Sequence, residues 1–205
     1  DEATGRQSVR NIPYLGRGGL QNEELWPFLQ QAKDRLLEAR NARVWPHRDE
    51  KVLASWNGLM ISGLSVAGRV FDDRLYLEAA VAAADFILRE MRVDGRLMRV
   101  WRDGTVKQPA YLDDYAFLAV GLLDLHDATG DERRLNEAQS LTDEMLRLFE
   151  DPRQGGLFFT AEDSEELLAR VKRPFDQAIP SGNAMAALAL VRLAEETGEA
   201  RSAEA

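Results

Sequence analysis

Apolar side chains recur at helical spacing over most of this chain, in two kinds of segment. Residues 56–71 and 114–129 are apolar or small on nearly every side, which is typical of a buried helix. Residues 74–92 and 132–150 carry a single apolar face, which indicates a helix with one side in solvent. The pattern predicts six main helices, near residues 22–43, 56–71, 74–92, 114–129, 132–150 and 182–198.

Two short segments each follow a one-faced helix, and the first of them alternates with a period of two. We predict short β segments at both, residues 96–101 from this alternation and residues 156–160 from a short apolar run after a glycine pair. Ahead of the first helix, residues 1–21 are polar and rich in glycine, which favours an extended or loop conformation. We therefore expect a loop over 1–21, a helix capped by Asn22, and a helical-hairpin repeat domain over 22–205.

The buried helices begin with matching residues and so reveal an internal repeat. Trp56-Asn57 and Asp114-Tyr115 occupy equivalent places 58 positions apart, and a third copy begins at Ser181. Repeats that each contain a buried and a one-faced helix stack as hairpins, in a solenoid or a closed ring. The two kinds of helix favour two concentric layers. The predicted fold class is all-α: a partial (α/α) toroid of helical hairpins with short β excursions.

Composition narrows the class of protein. With a net charge of −9 and no basic stripe, the surface repels phosphate backbones and anionic lipid, so nucleic-acid and membrane binding are not expected. The chain has no cysteine, which excludes disulfides, thiolate catalysis and cysteine-based metal sites. No apolar run approaches the ~20 residues needed to span a bilayer. We predict a cytoplasmic protein that uses no cofactor and no metal.

Five short motifs resemble a known family in their order and spacing, and they cover roughly residues 41–198. The family is the YyaL-type group of thioredoxin-domain-containing proteins related to spermatogenesis-associated protein 20. The motifs are Pro46-His-Arg-Asp-Glu-Lys51, Ser55-Trp-Asn-Gly-Leu-Met60, Tyr111-Leu-Asp-Asp-Tyr-Ala116, Gly155-Gly-Leu-Phe158 and Pro180-Ser-Gly-Asn183. In the first of them, the usual aspartate pair before the lysine reads Asp49-Glu50.

This resemblance implies a six-hairpin, glycosidase-like toroid, similar to N-acylglucosamine 2-epimerases and unsaturated glucuronyl hydrolases. It also implies a longer parent, with a thioredoxin-like domain before this region and further helices after Asn183. We therefore expect an excised piece or a truncated relative, and the resemblance brings no settled activity with it. Because the third repeat lacks an outer helix, we expect an incomplete ring that self-associates through exposed apolar surface.

The loops that enter the buried helices rim one mouth of a toroid, and they carry the candidate chemistry. Glycoside chemistry needs two carboxylates, about 5–5.5 Å apart for retention or about 6.5–9.5 Å apart for inversion. Backbone N–H groups at helix starts also suit a small-molecule sugar with an anionic group. The catalytic candidates are Asp114, Asp113, Asp49 and Asp176. The candidates for substrate binding are His47, Lys51, Trp56, Asn57, Tyr115, Ser181 and Asn183.

Each of these residue types also has a purely structural use. Asp113, Ser181 and Ser55 sit where helix N-caps belong. Lys51 and Asp49 can pair with each other across the rim. The aromatic candidates can stack on a sugar ring or fill the core. Both readings stay open for each of these residues.

Asp114 is the preferred candidate for chemistry. The repeat places Trp56 and Gly182 at the equivalent positions, so the scaffold itself does not require a carboxylate there. We expect Asp113 to cap the helix while Asp114 faces the central funnel. A second carboxylate in that funnel, from Asp49 or Asp176, would raise the pKa of one member of the pair.

Two hypotheses of function remain open. The first is a carbohydrate-active toroid, hydrolase-, lyase- or epimerase-like, that acts on a sugar through carboxylates at the mouth. The second is a non-catalytic helical module that binds a partner or ligand beside a thioredoxin-like domain. Only His47 and His126 occur, which weighs against a 2-epimerase with a histidine on each face of the sugar. An open polar mouth favours the enzyme, and a mouth plugged by Trp56 and Tyr115 favours the module.

Overall fold

The computed structural model describes residues 25–164 and 168–198, which divide into two compact units, one up to Asp49 and one from Glu50 onward. Helix α1 (Trp26–Asn41) lies in the first unit. It has a proline in its first turn, where the missing N–H would have no helical partner in any case. None of its residues is buried. The predicted loop over 1–21 and the predicted Asn22 cap lie outside the described residues.

The described part of the second unit contains five further helices, at the places that the apolar pattern predicts. Their ends differ from the predicted ones by two residues at most, and none is long and apolar enough to cross a bilayer. Gly130, with φ of 67°, ends one of them in the left-handed conformation that favours glycine. The helices are α2 (Ala54–Phe71), α3 (Arg74–Glu90), α4 (Leu112–Thr129), α5 (Glu132–Phe149) and α6 (Gly182–Thr197).

Helix α4 lies at the centre of this unit. It packs between α2 and α6 in an inner layer, while α3 packs on α2 and α5 packs on α4 in an outer layer. Nearly all side chains of α4 from Leu112 to Leu125 are buried, whereas α5 buries one face. The predicted distinction between buried and one-faced helices is therefore confirmed for this hairpin.

Two glycines allow α2 and α4 to approach closely. A Cβ atom on Gly58 would lie 2.6 Å from the backbone nitrogen of Leu118. A Cβ atom on Gly121 would lie 2.5 Å from the carbonyl oxygen of Gly58. Real Cβ atoms do not approach other heavy atoms this closely, because protein interiors are close-packed. The inner layer therefore depends on glycine at both positions.

A small antiparallel sheet combines one short strand before α2 with three strands after α3. Its strands are β1 (Val52–Leu53), β2 (Arg92–Val93), β3 (Arg96–Arg102) and β4 (Thr105–Pro109), and β3 pairs with each of the other three. The β segment predicted at 96–101 is confirmed. The Asp-Gly pairs at 94–95 and 103–104 form the two hairpin turns, with positive φ at all four residues.

The second predicted β segment, at 156–160, is wrong. The structure has only an isolated bridge there, between Glu150 and Leu157. The side chain of Asn183 accepts from the N–H of Leu157 and donates to its carbonyl, both at 2.9 Å. The side chain of Asn183 thus occupies one edge of this segment, while the bridge to Glu150 is formed on the other edge by the backbone of Gly156 and Phe158.

Candidate functional site

The carboxylate of Asp114 is enclosed at the start of α4. It is completely buried, and it accepts hydrogen bonds from the N–H of Tyr111 at 2.9 Å, the N–H of Ser55 at 3.0 Å and Nη1 of Arg99 at 3.0 Å. The bond to the N-cap residue Tyr111 makes Asp114 part of the cap of its own helix. The prediction that Asp114 faces the funnel is therefore wrong. Ser55 likewise donates to this carboxylate and is not the N-cap of α2, which is Leu53.

Asp113, and not Asp114, reaches a pocket. It is partly exposed and lines a cavity of about 400 Å³ between the starts of α4 and α6 and the loop over residues 172–180. The backbone of Gly182 forms a hydrogen bond with its carboxylate, and a Cβ atom at Gly182 would overlap Oδ1 of Asp113. The two neighbouring aspartates thus have the opposite roles to those predicted from the sequence.

The environment of Asp113 favours its protonated form. Burial raises the pKa of this carboxyl group above its ordinary value, and the negative charge of Asp114 raises it further. The guanidinium groups of Arg173 and Arg99 and the hydrogen bond from the backbone of Gly182 act in the other direction and only partly offset the rise. A carboxyl group that holds its proton to a higher pH is suited to act as a general acid.

Two cations and two aromatic rings form a row that ends at the pocket, which Arg173 lines. Cζ of Arg99 lies 4.8 Å from the centroid of the Tyr111 ring, and the rings of Tyr111 and Phe159 lie 4.8 Å apart. Cζ of Arg173 lies 3.8 Å from the centroid of the Phe159 ring. Cation–π contacts of this kind stabilise the orientation of a guanidinium group. They hold the positive charge of Arg173 at the pocket wall, near Asp113.

Two further sequence candidates lie at the end of the loop over residues 172–180: Ser181 lines the cavity, whereas Asp176 is not one of its lining residues. Oδ1 of Asp176 accepts a hydrogen bond from the N–H of Ser181 at 2.8 Å. Oγ of Ser181 accepts from the N–H of Ala184 at 3.0 Å, so the N-cap role predicted for Ser181 is confirmed. Lys172 also lines the cavity, but its ammonium group is paired with Asp151 at 2.6 Å.

Three of the predicted binding residues make structural contacts. Tyr115 is completely buried, and its hydroxyl accepts a hydrogen bond from a backbone N–H of β3 at 3.2 Å. Asn57 donates from Nδ2 to the carbonyl of Leu53, four residues earlier, at 2.9 Å. Asn183 is paired with Leu157, as described above. Burial excludes a stacking role for Tyr115, and the amide groups of the two asparagines bind backbone.

The remaining sequence candidates lie at exposed positions. Trp56 is 63% exposed and, like Tyr115, does not line the pocket, so these two aromatics do not plug it. Lys51 is exposed in the second unit, and His47 and Asp49 are exposed in the first. Catalytic or binding roles for these residues stay predictions.

Sequence reasoning missed the cations and one of the rings at the pocket. Arg173 lies in the loop before the third inner helix, the same kind of loop that supplied the aspartate candidates, and this placement was the available signal. Arg99 lies in a segment whose alternation indicated only a strand, and Phe159 lies in one wrongly assigned to a strand. Within residues 25–164 and 168–198, no three histidine, cysteine, aspartate or glutamate residues form a group that could hold a metal ion.

Comparison with known sequences supports the family resemblance. The chain is 39% identical to spermatogenesis-associated protein 20 of Mus musculus over 193 residues, which is 89% of this chain and 24% of that protein. The chain is a relative of spermatogenesis-associated protein 20. The human protein of this name is also 39% identical, over 94% of this chain and 26% of its own length, and an uncharacterized Caenorhabditis elegans protein is 33% identical over 83% of this chain. The chain thus spans about a quarter of the length of the curated relatives it matches. No family model matches it.

Solved structures show the same fold. The cellobiose 2-epimerase of Spirochaeta thermophila matches 89% of this chain and 53% of its own, with a TM-score of 0.63 and 20% identity. An inactive variant of the α-1,6-mannanase of Salegentibacter sp., in complex with α-1,6-mannotriose, matches 90% of this chain and 53% of its own, with a TM-score of 0.57 and 17% identity. The described part of the chain therefore has the predicted fold, a part of the (α/α) toroid of six-hairpin glycosidase-like enzymes.

Proposed function

We propose that this domain binds a sugar carrying an anionic group in the pocket between the starts of α4 and α6, and acts on it with Asp113 as the acid. The observation that carries the proposal is the position of Asp113: partly exposed to an open pocket of about 400 Å³, with its pKa raised by burial and with Arg173 on the same wall. The pocket thus contains both an acid, Asp113, and a cation, Arg173, in its wall.

The chemistry follows from these groups. Arg173 would pair with the anionic group of the sugar, since a guanidinium group donates two parallel hydrogen bonds to a carboxylate or phosphate. Asp113 would then donate its proton to the oxygen that leaves or is polarised. Asp176 lies in the same loop as Arg173. We assign it as the second carboxylate of the reaction, because glycoside chemistry uses a pair.

The names of the fold relatives agree with a sugar substrate. Among them are a cellobiose 2-epimerase and an α-1,6-mannanase, and the mannanase variant is called inactive after both of two consecutive aspartates were replaced by asparagine. Asp113 and Asp114 are also consecutive. In this chain, however, Asp113 lines the pocket, whereas Asp114 is buried and does not.

One observation favours a second candidate function, a non-catalytic binding module that accompanies a thioredoxin-like domain. Asp114 is fully occupied by its three donors, which removes one acid from the predicted catalytic set. Such a module would still use Arg173 to bind an anionic ligand, but it would release that ligand unchanged.

Turnover separates the two candidates. The protein is incubated with oligosaccharides that contain uronic acids and with neutral oligosaccharides of the same length, and the products are followed by proton NMR. We expect acidic sugars alone to be cleaved or epimerised, with activity lost in Asp113→Asn and retained in Asp143→Asn, a matched exposed aspartate on α5. Binding without any product would support the module. Full activity of Asp113→Asn would contradict the proposed chemistry.

A further inference from the structure

Arg99 connects the small sheet to the start of α4. It lies on β3, and its Nη1 donates to Oδ2 of Asp114 at 3.0 Å. The Asp114 side chain is completely buried, whereas the Arg99 side chain is 26% exposed. The other two described donors to this carboxylate are the backbone N–H groups of Ser55 and Tyr111. Of these three donors, Arg99 alone brings a positive charge to the buried carboxylate.

The guanidinium group of Arg99 is held from a second direction by the Tyr111 ring. Its Cζ lies over that ring, 4.8 Å from the centroid. Tyr111 is the N-cap residue of α4, and its N–H donates to the same carboxylate of Asp114. A flat guanidinium group can stack on a ring while its N–H groups donate to a carboxylate, and the ammonium group of a lysine does not have this geometry. The contacts at this position thus match arginine in both charge and shape.

The backbone opposite Arg99 is strained. In the register of β3 and β4, Met98 pairs with Pro109 and Val100 pairs with Lys107, so Gln108 stands opposite Arg99. The φ angle of Gln108 is 62°, which is uncommon for a residue with a side chain and is further disfavoured directly before a proline. Strained residues of this kind cluster at functional sites. This one lies in the segment that leads from the sheet to α4.

We infer that Arg99 is a positioning residue for Asp113: it holds the charge of Asp114 inside the cap of α4 and so leaves Asp113 as the carboxyl group at the pocket. This role rests on the proposed function of Asp113 as the acid. A buried carboxylate that loses its cation is strongly disfavoured, so the division of roles between the two aspartates depends on this ion pair. Arg99 need not touch the substrate to have this effect.

The charges around Asp113 give the direction of the effect. The negative charge of Asp114 raises the pKa of Asp113, and the positive charges of Arg173 and Arg99 lower it. Without Arg99, the charge of Asp114 would act on Asp113 with no cation paired to it, so Asp113 would keep its proton to a higher pH. The other charged groups of the loop over 172–180 already have partners: Lys172 is paired with Asp151, and Asp176 accepts from the N–H of Ser181.

The test measures the pKa of Asp113 by carbon-detected NMR in the parent, in Arg99→Gln and in Arg99→Lys. The control is Arg102→Gln, an arginine on the same strand that is 48% exposed and paired with Asp103. This measurement needs no substrate. A parent that converts no sugar would therefore contradict the proposed function without deciding the inference, which the pKa of Asp113 decides by itself. Where the parent does convert a sugar, the alkaline limb of the pH profile should move to higher pH in Arg99→Gln, because a general acid must be protonated.

We expect the pKa of Asp113 to rise in Arg99→Gln, to rise less in Arg99→Lys, which keeps the charge, and to stay unchanged in Arg102→Gln. If Arg99→Gln does not fold, the same substitution is compared in an Asp114→Asn background, where no buried carboxylate is left unpaired. There the double variant should have a higher pKa at Asp113 than Asp114→Asn alone. An unchanged pKa on loss of Arg99, an equal rise in Arg102→Gln, or a rise in Arg99→Lys as large as in Arg99→Gln would each overturn the inference.

Discussion

The carboxylate of Asp114 accepts a hydrogen bond from the backbone N–H of Ser55, a residue 59 positions earlier in the chain, at 3.0 Å. This bond joins the start of α4 to the start of α2, and Arg99 from the sheet pairs with the same carboxylate. Three elements are thus held together by one buried side chain. The neighbouring Asp113 is left as the acid that reaches the pocket.

Replacing Asp114 by asparagine should destabilise the fold. The amide keeps one acceptor oxygen but loses the charge that pairs with Arg99, and its NH₂ group faces donors. Leaving buried hydrogen-bonding groups unpaired costs about 1–3 kcal/mol. We expect a loss of that size in the free energy of unfolding, measured by urea denaturation. Asp143→Asn on the surface of α5 is the control and should change stability by no more than about 0.5 kcal/mol. An Asp114→Asn variant as stable as the parent would show that the contacts of this carboxylate do not contribute to the free energy of unfolding.

The stability contributed by Asp113 should fall as pH rises. Its pKa is raised in the folded state, so the folded chain holds this proton more tightly than the unfolded chain does. Unfolding free energy decreases with pH wherever the folded state binds more protons. The decrease begins near the ordinary pKa of an aspartate and is complete above the raised value. Asp113→Asn should remove it, so the variant should gain stability relative to the parent as pH rises across that window. If the difference in unfolding free energy between the parent and Asp113→Asn is the same at every pH, the raised pKa of Asp113 is refuted.

Arg173 should control the protonation of Asp113. Its guanidinium group lowers the pKa of Asp113 and so offsets part of the rise that burial causes. In Arg173→Gln we therefore expect the pKa of Asp113 to rise further, as measured by carbon-detected NMR of the side-chain carboxyl group. Arg133→Gln, at an exposed arginine paired with Asp131, is the control and should leave that pKa unchanged. A pKa of Asp113 that does not move in Arg173→Gln would place Arg173 too far away to act on the pocket.

The fold could be predicted to a large extent because it depends on periodicity and repeat. The positions of the helices, the buried nature of α4 and the N-cap at Ser181 all follow from local patterns. The roles of Asp113 and Asp114 could not be predicted, because they depend on which residues from α2 and the sheet approach the start of α4. Ser55 and Arg99 are distant in sequence, and no local pattern records that their donors converge on one carboxylate. The strand predicted at 156–160 was wrong for a similar reason, because the contacts of this segment with Glu150, Val171 and the side chain of Asn183 are not recorded in any local pattern.

The seam between α2 and α4 should not tolerate a methyl group at Gly58. A Cβ atom there would lie 2.6 Å from the backbone of Leu118, so the two helices would have to separate. Overpacking of this kind costs typically ~1–3 kcal/mol. We expect Gly58→Ala to lose that much stability in thermal and urea unfolding. Gly63→Ala, studied in dilute solution, is the matched control on the same helix and should gain about 0.5–1 kcal/mol, because nothing lies within 4 Å of its Cβ. Equal effects at both positions would contradict the close approach of the two helices.

The central claim is that the pocket beside Asp113 and Arg173 binds an anionic sugar. It is tested most directly by NMR of the ¹⁵N-labelled protein titrated with a uronic-acid disaccharide, with its neutral counterpart as the control. We expect only the acidic sugar to shift amide signals of the parent protein, with the largest changes at Arg173, Ser181 and Gly182. In Arg173→Gln we expect these shifts to disappear. Equal shifts with the neutral sugar, shifts confined to other parts of the chain, or no shifts at all would contradict the account.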